Sequence, residues 1–330
     1  MVLLVTGRCE GSCWYCPLSE EKKGKDVIYA DEMLTSCTED VIEEARCIDG
    51  LGTGITGGDP FLEDKTFEFI SELKASYGPE HHIHLYTQVT DIDKIRRACR
   101  MGLDEIRFHP PVDVWETIEK TEYPLVMKDL QKYEIDVGIE IPAIPTLMKE
   151  TIHLLKTLGP MVDFVNLNEL EFSSTNCNEL VNRSFKEKSD ESSAVIGSQE
   201  FALKLLEKDF ETSLHYCSAS FKDGVQMRNR IMRRARRVAK DWEIITEDGT
   251  IVKGIIICDH PEEIIKKLLE EYDVPTDKVS LDVVGKRIEV YLPILEEIAP
   301  LSGAECYGIE VYPTADALEV ERWPVPPIKR

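Results

Sequence analysis

The stretch "MVLLVTGRCEGSCWYC" (1–16) runs from an apolar, strand-forming start into a loop that holds Cys9, Cys13 and Cys16. The change from "MVLLV" to a glycine- and cysteine-bearing segment predicts a first strand, over 2–6, that delivers three thiols at its C-terminal end. Downstream the same alternation recurs. Candidate strands lie at 50–57, 82–87, 105–110, 136–143, 163–170 and 213–218, separated by helical periodicity near 38–48, 63–77, 91–102, 113–133, 147–158 and 198–209. In the second of these helices, Phe67, Ile70 and Leu73 fall on one face. Strand and helix repeated this way predict a parallel sheet with right-handed crossovers. Six or seven such units suit an α/β fold of the partial (β/α)6–7 TIM-like barrel type, with active residues at the strand C-termini. The three cysteines occupy the first of those loops.

From about residue 241 the pattern changes. "WEIITEDGTIVKGIIIC" (242–258) predicts a hairpin turning at Asp248 and Gly249, followed by a helix over 261–272 and further strand-like runs. The expected division is therefore residues 1–240, a partial barrel with a basic helix at its end, and 241–330, a small α+β accessory domain. Between the last two barrel helices, 173–200 is rich in Ser, Asn and charge and reads as a loop over the barrel mouth.

The chain has 330 residues and a formal charge of -23, which argues against wholesale attraction to nucleic acid or an anionic membrane. No stretch approaches about 18 uninterrupted apolar residues, and no signal peptide is evident. A soluble, cytoplasmic protein without a membrane partner is expected. In that compartment ten cysteines are not a disulfide framework. Seven of them, Cys37, Cys47, Cys99, Cys177, Cys217, Cys258 and Cys306, are scattered and read as small core hydrophobes. Cys177, Cys217, Cys258 and Cys306 also number enough for an auxiliary cluster, although no C-x2-C pair occurs among them.

The clustered three read as metal ligands. A structural zinc site wants four ligands, and no second Cys or His pair of the right spacing exists. A ferredoxin cluster uses four cysteines. Three thiolates can instead hold three irons of a [4Fe–4S] cube and leave the fourth iron open.

The C-x3-C-x2-C spacing of Cys9, Cys13 and Cys16, with Tyr15 before the last cysteine and a strand ahead of the triplet, resembles the radical S-adenosylmethionine superfamily. The resemblance implies a [4Fe–4S] cluster on these cysteines, S-adenosylmethionine on its open iron, and an external one-electron donor. It also implies reductive cleavage of the cofactor to a 5′-deoxyadenosyl radical that abstracts a substrate hydrogen. "GITGGDPFLE" (54–63) is similar to the superfamily's Gly-Gly-Glu-Pro stretch, which binds the methionine moiety. Gly57, Gly58, Asp59 and Pro60 are then expected to bind the cofactor, with Asp59 standing in place of Glu and Tyr15 near the adenine.

The resemblance covers roughly residues 1–218. At later strand ends it suggests Thr87 or Gln88, Arg107 or His109, Glu140, and Asn166 or Asn168 as cofactor contacts, although ordinary buried hydrogen-bonding groups explain them equally well. Through "CWYCPLSEEKKGKD" (13–26) and "LHYCSASFKDGVQMRNRI" (214–231), the whole chain resembles an archaeal group related to pyruvate formate-lyase activating enzymes; no substrate comes with that resemblance. His215 and Cys217 in the second stretch are candidates to face a substrate.

"RNRIMRRARRVAK" (228–240) is basic throughout and has apolar positions at helical spacing. It reads either as a solvated helix paired with the protein's own carboxylates or as a surface for RNA or an acidic protein. Three functional readings stay open. They are a radical enzyme on a macromolecule such as RNA or a polypeptide, a radical enzyme on a small metabolite, and a non-catalytic iron–sulfur or zinc protein.

Overall fold

Seven parallel strands follow one another across the main sheet in chain order, each laid beside its predecessor by the intervening segment. In the computed structural model, which describes residues 1–325, they are β1 (Val2–Leu4), β4 (Gly52–Thr56), β5 (His82–Thr87), β6 (Glu105–Phe108), β7 (Asp136–Ala143), β8 (Phe164–Glu169) and β11 (Ser213–Cys217). The full order is β11-β8-β7-β6-β5-β4-β1-β2-β3, with β2 (Ile28–Ala30) and β3 (Met33–Thr35) forming an antiparallel hairpin on the β1 edge. This hairpin, too short to announce itself by periodicity, makes the sheet mixed. Among the described residues no ladder joins β11 to the other edge, so the pairing is that of an open sheet.

Register separates the two faces. The line Leu3, Ile55, Leu85, Ile106, Val137 passes from strand to strand, and these side chains are buried in the core with Phe67, Ile70, Leu73, Ile95 and Leu154 of the helices. The opposite face carries Gly54, His84 and Glu105 in one row and Tyr86, Arg107, Gly138 and Phe164 in the next. A sheet covered on both faces reads as near-continuous apolar strands. Here one face is apolar and the other polar.

Two expectations are corrected. Segment 173–200 is not an irregular loop: it folds into a helix, Cys177–Asn182, and a hairpin of β9 (Glu187–Ser189) and β10 (Ser192–Val195). The helix expected over 113–133 is broken into a 3-10 segment, Val112–Lys120, and an α-helix, Tyr123–Leu130. Thr117 leaves helical geometry within the first of these, and Pro124 lies in the first turn of the second, where its missing N–H is harmless.

The chain divides at 226/227, and the helix Arg228–Val238 goes with the second unit, as do Cys47–Asp49. That boundary lies ahead of the 240/241 division suggested by composition. The second unit is an antiparallel sheet ordered β14 (Val279–Asp282), β15 (Arg287–Val290), β13 (Ile251–Ile257), β16 (Glu305–Val311), β17 (Glu319–Pro324), with β12 (Ile244–Ile245) paired to β13 through the expected turn at Asp248 and Gly249. Successive β13 residues serve opposite faces: Ile256 packs with Leu268, Ile288 and Leu295, and Ile255 with Ala235, Ile309 and Val311. Residues 326–330 of the accessory domain lie outside the described residues. No described helix is long and apolar enough to cross a membrane.

Candidate functional site

The cysteine loop and the Gly-Gly-Asp-Pro turn leave the C-terminal edges of two adjacent parallel strands, and backbone hydrogen bonds zip them together. Val5 N–H donates to the Thr56 carbonyl at 3.0 Å, Gly58 to Thr6 at 2.7 Å and Asp59 to Arg8 at 2.9 Å. Gly7 N–H reaches the Lys25 carbonyl at 2.9 Å, and Gly24 N–H the Gly7 carbonyl at 2.7 Å, so the loop closes at a neck. A Cβ on Gly58 would stand 2.1 Å from the Arg8 carbonyl oxygen. Only glycine allows the turn to lie this close to the cysteine loop.

All ten cysteines are free thiols. Cys9 is exposed, and Cys13 and Cys16 are half-buried. Cys16 N–H donates to the Cys13 carbonyl at 3.2 Å. The Cys9 sulfur accepts from Gly11 N–H at 3.3 Å, and the Cys13 sulfur from Gln88 Nε2 at 3.1 Å. Burial pushes the Cys9 thiol up; the Gly11 bond opposes this, and Asp59, Cys13 and Cys16 add to it.

Asp59 turns inward. It is buried and caps the 3-10 segment Pro60–Leu62 by accepting from Phe61 N–H at 3.1 Å. It also accepts from Thr87 Oγ1 at 2.8 and 3.0 Å and from Gln88 N–H at 2.8 Å. Burial raises its pKa against the pull of those bonds. Its carboxylate thus clamps the β4 turn to the end of β5, and with Pro60 buried beside it the half-buried Gly57 and Gly58 are what the turn presents. The clamp also holds Gln88 against the cysteine loop. Tyr123 steadies the same residue by donating to its carbonyl at 2.8 Å.

Tyr15 is likewise drawn inward, with 6% of its surface exposed. Its hydroxyl meets His109 Nε2 at 3.1 Å. Burial, then the charges of Cys13 and Cys16, holds the phenol well above its usual pKa. Most of the ring expected near a ligand is core.

Segment 173–200, expected as a loop over the barrel mouth, braces the cysteine loop. Asn176, buried, donates from Nδ2 to the Tyr15 carbonyl at 3.0 Å and to the Glu171 carbonyl at 3.0 Å, and Thr175 donates to the Cys16 carbonyl at 3.3 Å. Trp14 is stacked on Phe185 at 6.0 Å, and the Arg183 guanidinium lies 4.5 Å from its ring centre. Nothing in the local sequence announces Asn176, because its partner lies 161 positions away.

The remaining candidates share the polar face. Glu140 accepts from Arg107 at 2.9 Å, from Asn168 at 2.7 Å and from Asn166 at 3.3 Å. Arg107 also bonds Tyr86 at 3.0 Å and Glu105. Register carries the row on to His215, opposite Asn166, and Cys217, opposite Asn168. His215 is exposed and Cys217 half-buried. Burial raises the Cys217 thiol, Lys222 opposes this, and Glu140 and Glu171 add to it. Arg107, Glu140, Asn166 and Asn168 thus form one network, with Cys217 at its C-terminal border. The first unit holds Cys177 and Cys217, and the second Cys258 and Cys306.

Across 98% of its length the chain is 41% identical to a protein of Methanocaldococcus jannaschii named, provisionally, a glycyl-radical enzyme activating enzyme; the match spans 89% of that protein. Activating enzymes of this kind are radical S-adenosylmethionine proteins. The chain belongs to this superfamily. Radical S-adenosylmethionine activating enzymes use a [4Fe–4S] cluster and S-adenosylmethionine. Separately, residues 249–325, all in the second unit, match a domain of unknown function, DUF8061.

The basic helix Arg228–Val238 is largely tied within its own unit. Arg228 pairs with Asp248 and with the Glu247 carbonyl, Arg233 donates to the Ile48 carbonyl, Arg234 to that of Pro313, and Arg237 pairs with Asp49. Lys240, just beyond it, pairs with Glu289. Arg236 is exposed.

Proposed function

We propose that Cys9, Cys13 and Cys16 hold a [4Fe–4S] cluster and that Gly57 and Gly58 help seat S-adenosylmethionine at its open iron, within a partial barrel whose polar face lines the interior. The observation that carries this reading is the pair of hydrogen bonds Gly58 to Thr6 and Asp59 to Arg8, which fix the turn against the cysteine loop at adjacent strand ends. When bound and reduced by an external donor, this cofactor pair supplies a 5′-deoxyadenosyl radical, with methionine as the other product, and the radical takes one hydrogen atom from the substrate.

The chain's own residues do the positioning. Gln88 donates to the Cys13 sulfur, a contact of the kind that tunes cluster potential. Asp59 holds Gln88 in place, and Asn176 holds the backbone at Tyr15. The half-buried network of Arg107, Glu140, Asn166 and Asn168 supplies donors and acceptors at fixed places for a substrate or the cofactor's polar groups.

The substrate we propose is a polypeptide, a glycyl-radical enzyme, as the relative's name states for that protein. The internal pairing of Arg228, Arg233, Arg234 and Arg237 gives the alternative macromolecule, RNA, no support. The decisive test is anaerobic reconstitution and reduction. The wild-type chain should bind about four irons and yield 5′-deoxyadenosine, and Cys13→Ala should lose both. A reduced, iron-loaded protein that makes no 5′-deoxyadenosine would leave the non-catalytic reading standing.

A further inference from the structure

His82 and His84 lie two residues apart on β5, so they share the polar face of the sheet. His84 is registered directly opposite Glu105 at the start of β6. The three residues offer ligand atoms that all lie within 4.8 Å of one another. His82 Nε2 stands 3.5 Å from Glu105 Oε2, close to the separation of about 3.3 Å that tetrahedral ligands at about 2.0–2.1 Å require.

The surroundings have the form of an outer shell. Arg107 Nε donates to Glu105 Oε1, which leaves Oε2 turned toward His82. The Tyr86 hydroxyl lies 3.3 Å from His84 Nε2, a partner able to fix the tautomer of a ligating ring. On the neighbouring strand, a Cβ at Gly54 would stand 2.6 Å from His84 Nε2, so glycine there makes room for the ring. His82 is exposed and leaves a path for an ion.

We propose that His82, His84 and Glu105 form a second metal site, for a borderline divalent ion of the zinc class, with water in the fourth position. These ligands stand at the beginnings of β5 and β6, whereas the cysteine loop and the Gly-Gly-Asp-Pro turn leave the C-terminal edges of β1 and β4. The site is independent of the cluster. It clips β5 to β6 and stabilises the pair by mass action when filled.

The test uses the full chain with its cluster reconstituted, passed over a chelating resin, exposed to zinc(II) and freed of loose metal. Wild type should retain one zinc more than His82→Ala or Glu105→Gln. X-ray absorption of that zinc should show a nitrogen and oxygen shell near 2.0–2.1 Å rather than sulfur near 2.3 Å. Because His82 is exposed, His82→Ala is expected to keep the wild-type circular dichroism and iron content. No retained zinc, equal retention in wild type and both variants, or a sulfur shell overturns the assignment.

Discussion

The two units handle charge in opposite ways. In the first, Arg107, Glu140, Asn166 and Asn168 meet on a half-buried sheet face, and Cys9 is exposed at a strand end. In the second, charged groups are consumed inside the unit. Lys253 bridges Glu243 and Glu289, both almost fully buried, while Lys240 and Arg287 add to the same network. Polar groups held in place but left half-open are what a binding site needs. Polar groups fully satisfied by one another specify a fold. The sign of the charge in the sequence does not separate these cases, since the most basic segment lies in the unit that ties its charges down.

That contrast is broken most severely by removing Lys253. Burial alone would lower its pKa, but its bonds to Glu289 and Glu243 win and raise it, and Glu289 is correspondingly lowered despite its own burial. Lys253→Ala leaves the buried Glu243 carboxylate without its cation and Glu289 with only Lys240 and Arg287, and should destabilise the second unit by about 3 kcal/mol. Urea denaturation should show this as an earlier second-unit transition. An unchanged midpoint would mean that the network is not structural.

The first unit should show the larger acid sensitivity. His81 is buried, its Nε2 lies 2.8 Å from Thr53 Oγ1, and burial foremost pushes its pKa down to about 4 from the ordinary value of 6.5. Because the folded pKa is the lower one, the unfolded chain takes up the proton first. The stability this neutral ring confers is complete above pH 6.5 and is lost as the pH falls toward 4, on the order of 3 kcal/mol in all. His81→Gln should flatten that limb in urea titrations at pH 7 and 4.5. An unaltered slope would assign the acid sensitivity elsewhere.

Gly58→Ala probes the zipped edge. The added methyl must push the turn from the Arg8 carbonyl, with an expected loss of about 1–3 kcal/mol and a drop in iron retained after reconstitution. Full iron with normal 5′-deoxyadenosine yield would show that the two loops need not touch.

The smallest effect belongs to Arg237→Ala. Its pair with Asp49 is 56% exposed on both sides, so no more than about 1 kcal/mol is expected. Filter-binding to RNA should not register the change. A weakened affinity with a salt slope reduced by about one would instead mark Arg237 as a phosphate contact and blur the contrast between the units.

Much of the parallel sheet was legible because apolar strands and phased helices repeat over distances short enough for local pattern to show. The hairpin β2–β3 escaped because three-residue strands carry no readable period. Segment 173–200 escaped because its order comes from partners rather than composition: Asn176 and Thr175 are satisfied by carbonyls at Tyr15 and Cys16. His82 and His84 were visible as alternation on a strand, but the third member, Glu105, joins them only through the register of β5 with β6.

The sequence by itself determined the triplet of thiols, the glycine turn and the succession of parallel strands and helices along the chain, because spacing and period act within a few residues. Tertiary structure decided the rest. Asp59 became a clamp on Thr87 and Gln88, and Tyr15 became largely core. The arginines of 228–238 became largely internal ties. The physical reason is common to all three: whether a polar or charged side chain is spent on the fold or left for a ligand depends on which distant donors and acceptors reach it first, and burial makes an unmet bond costly enough to settle the choice.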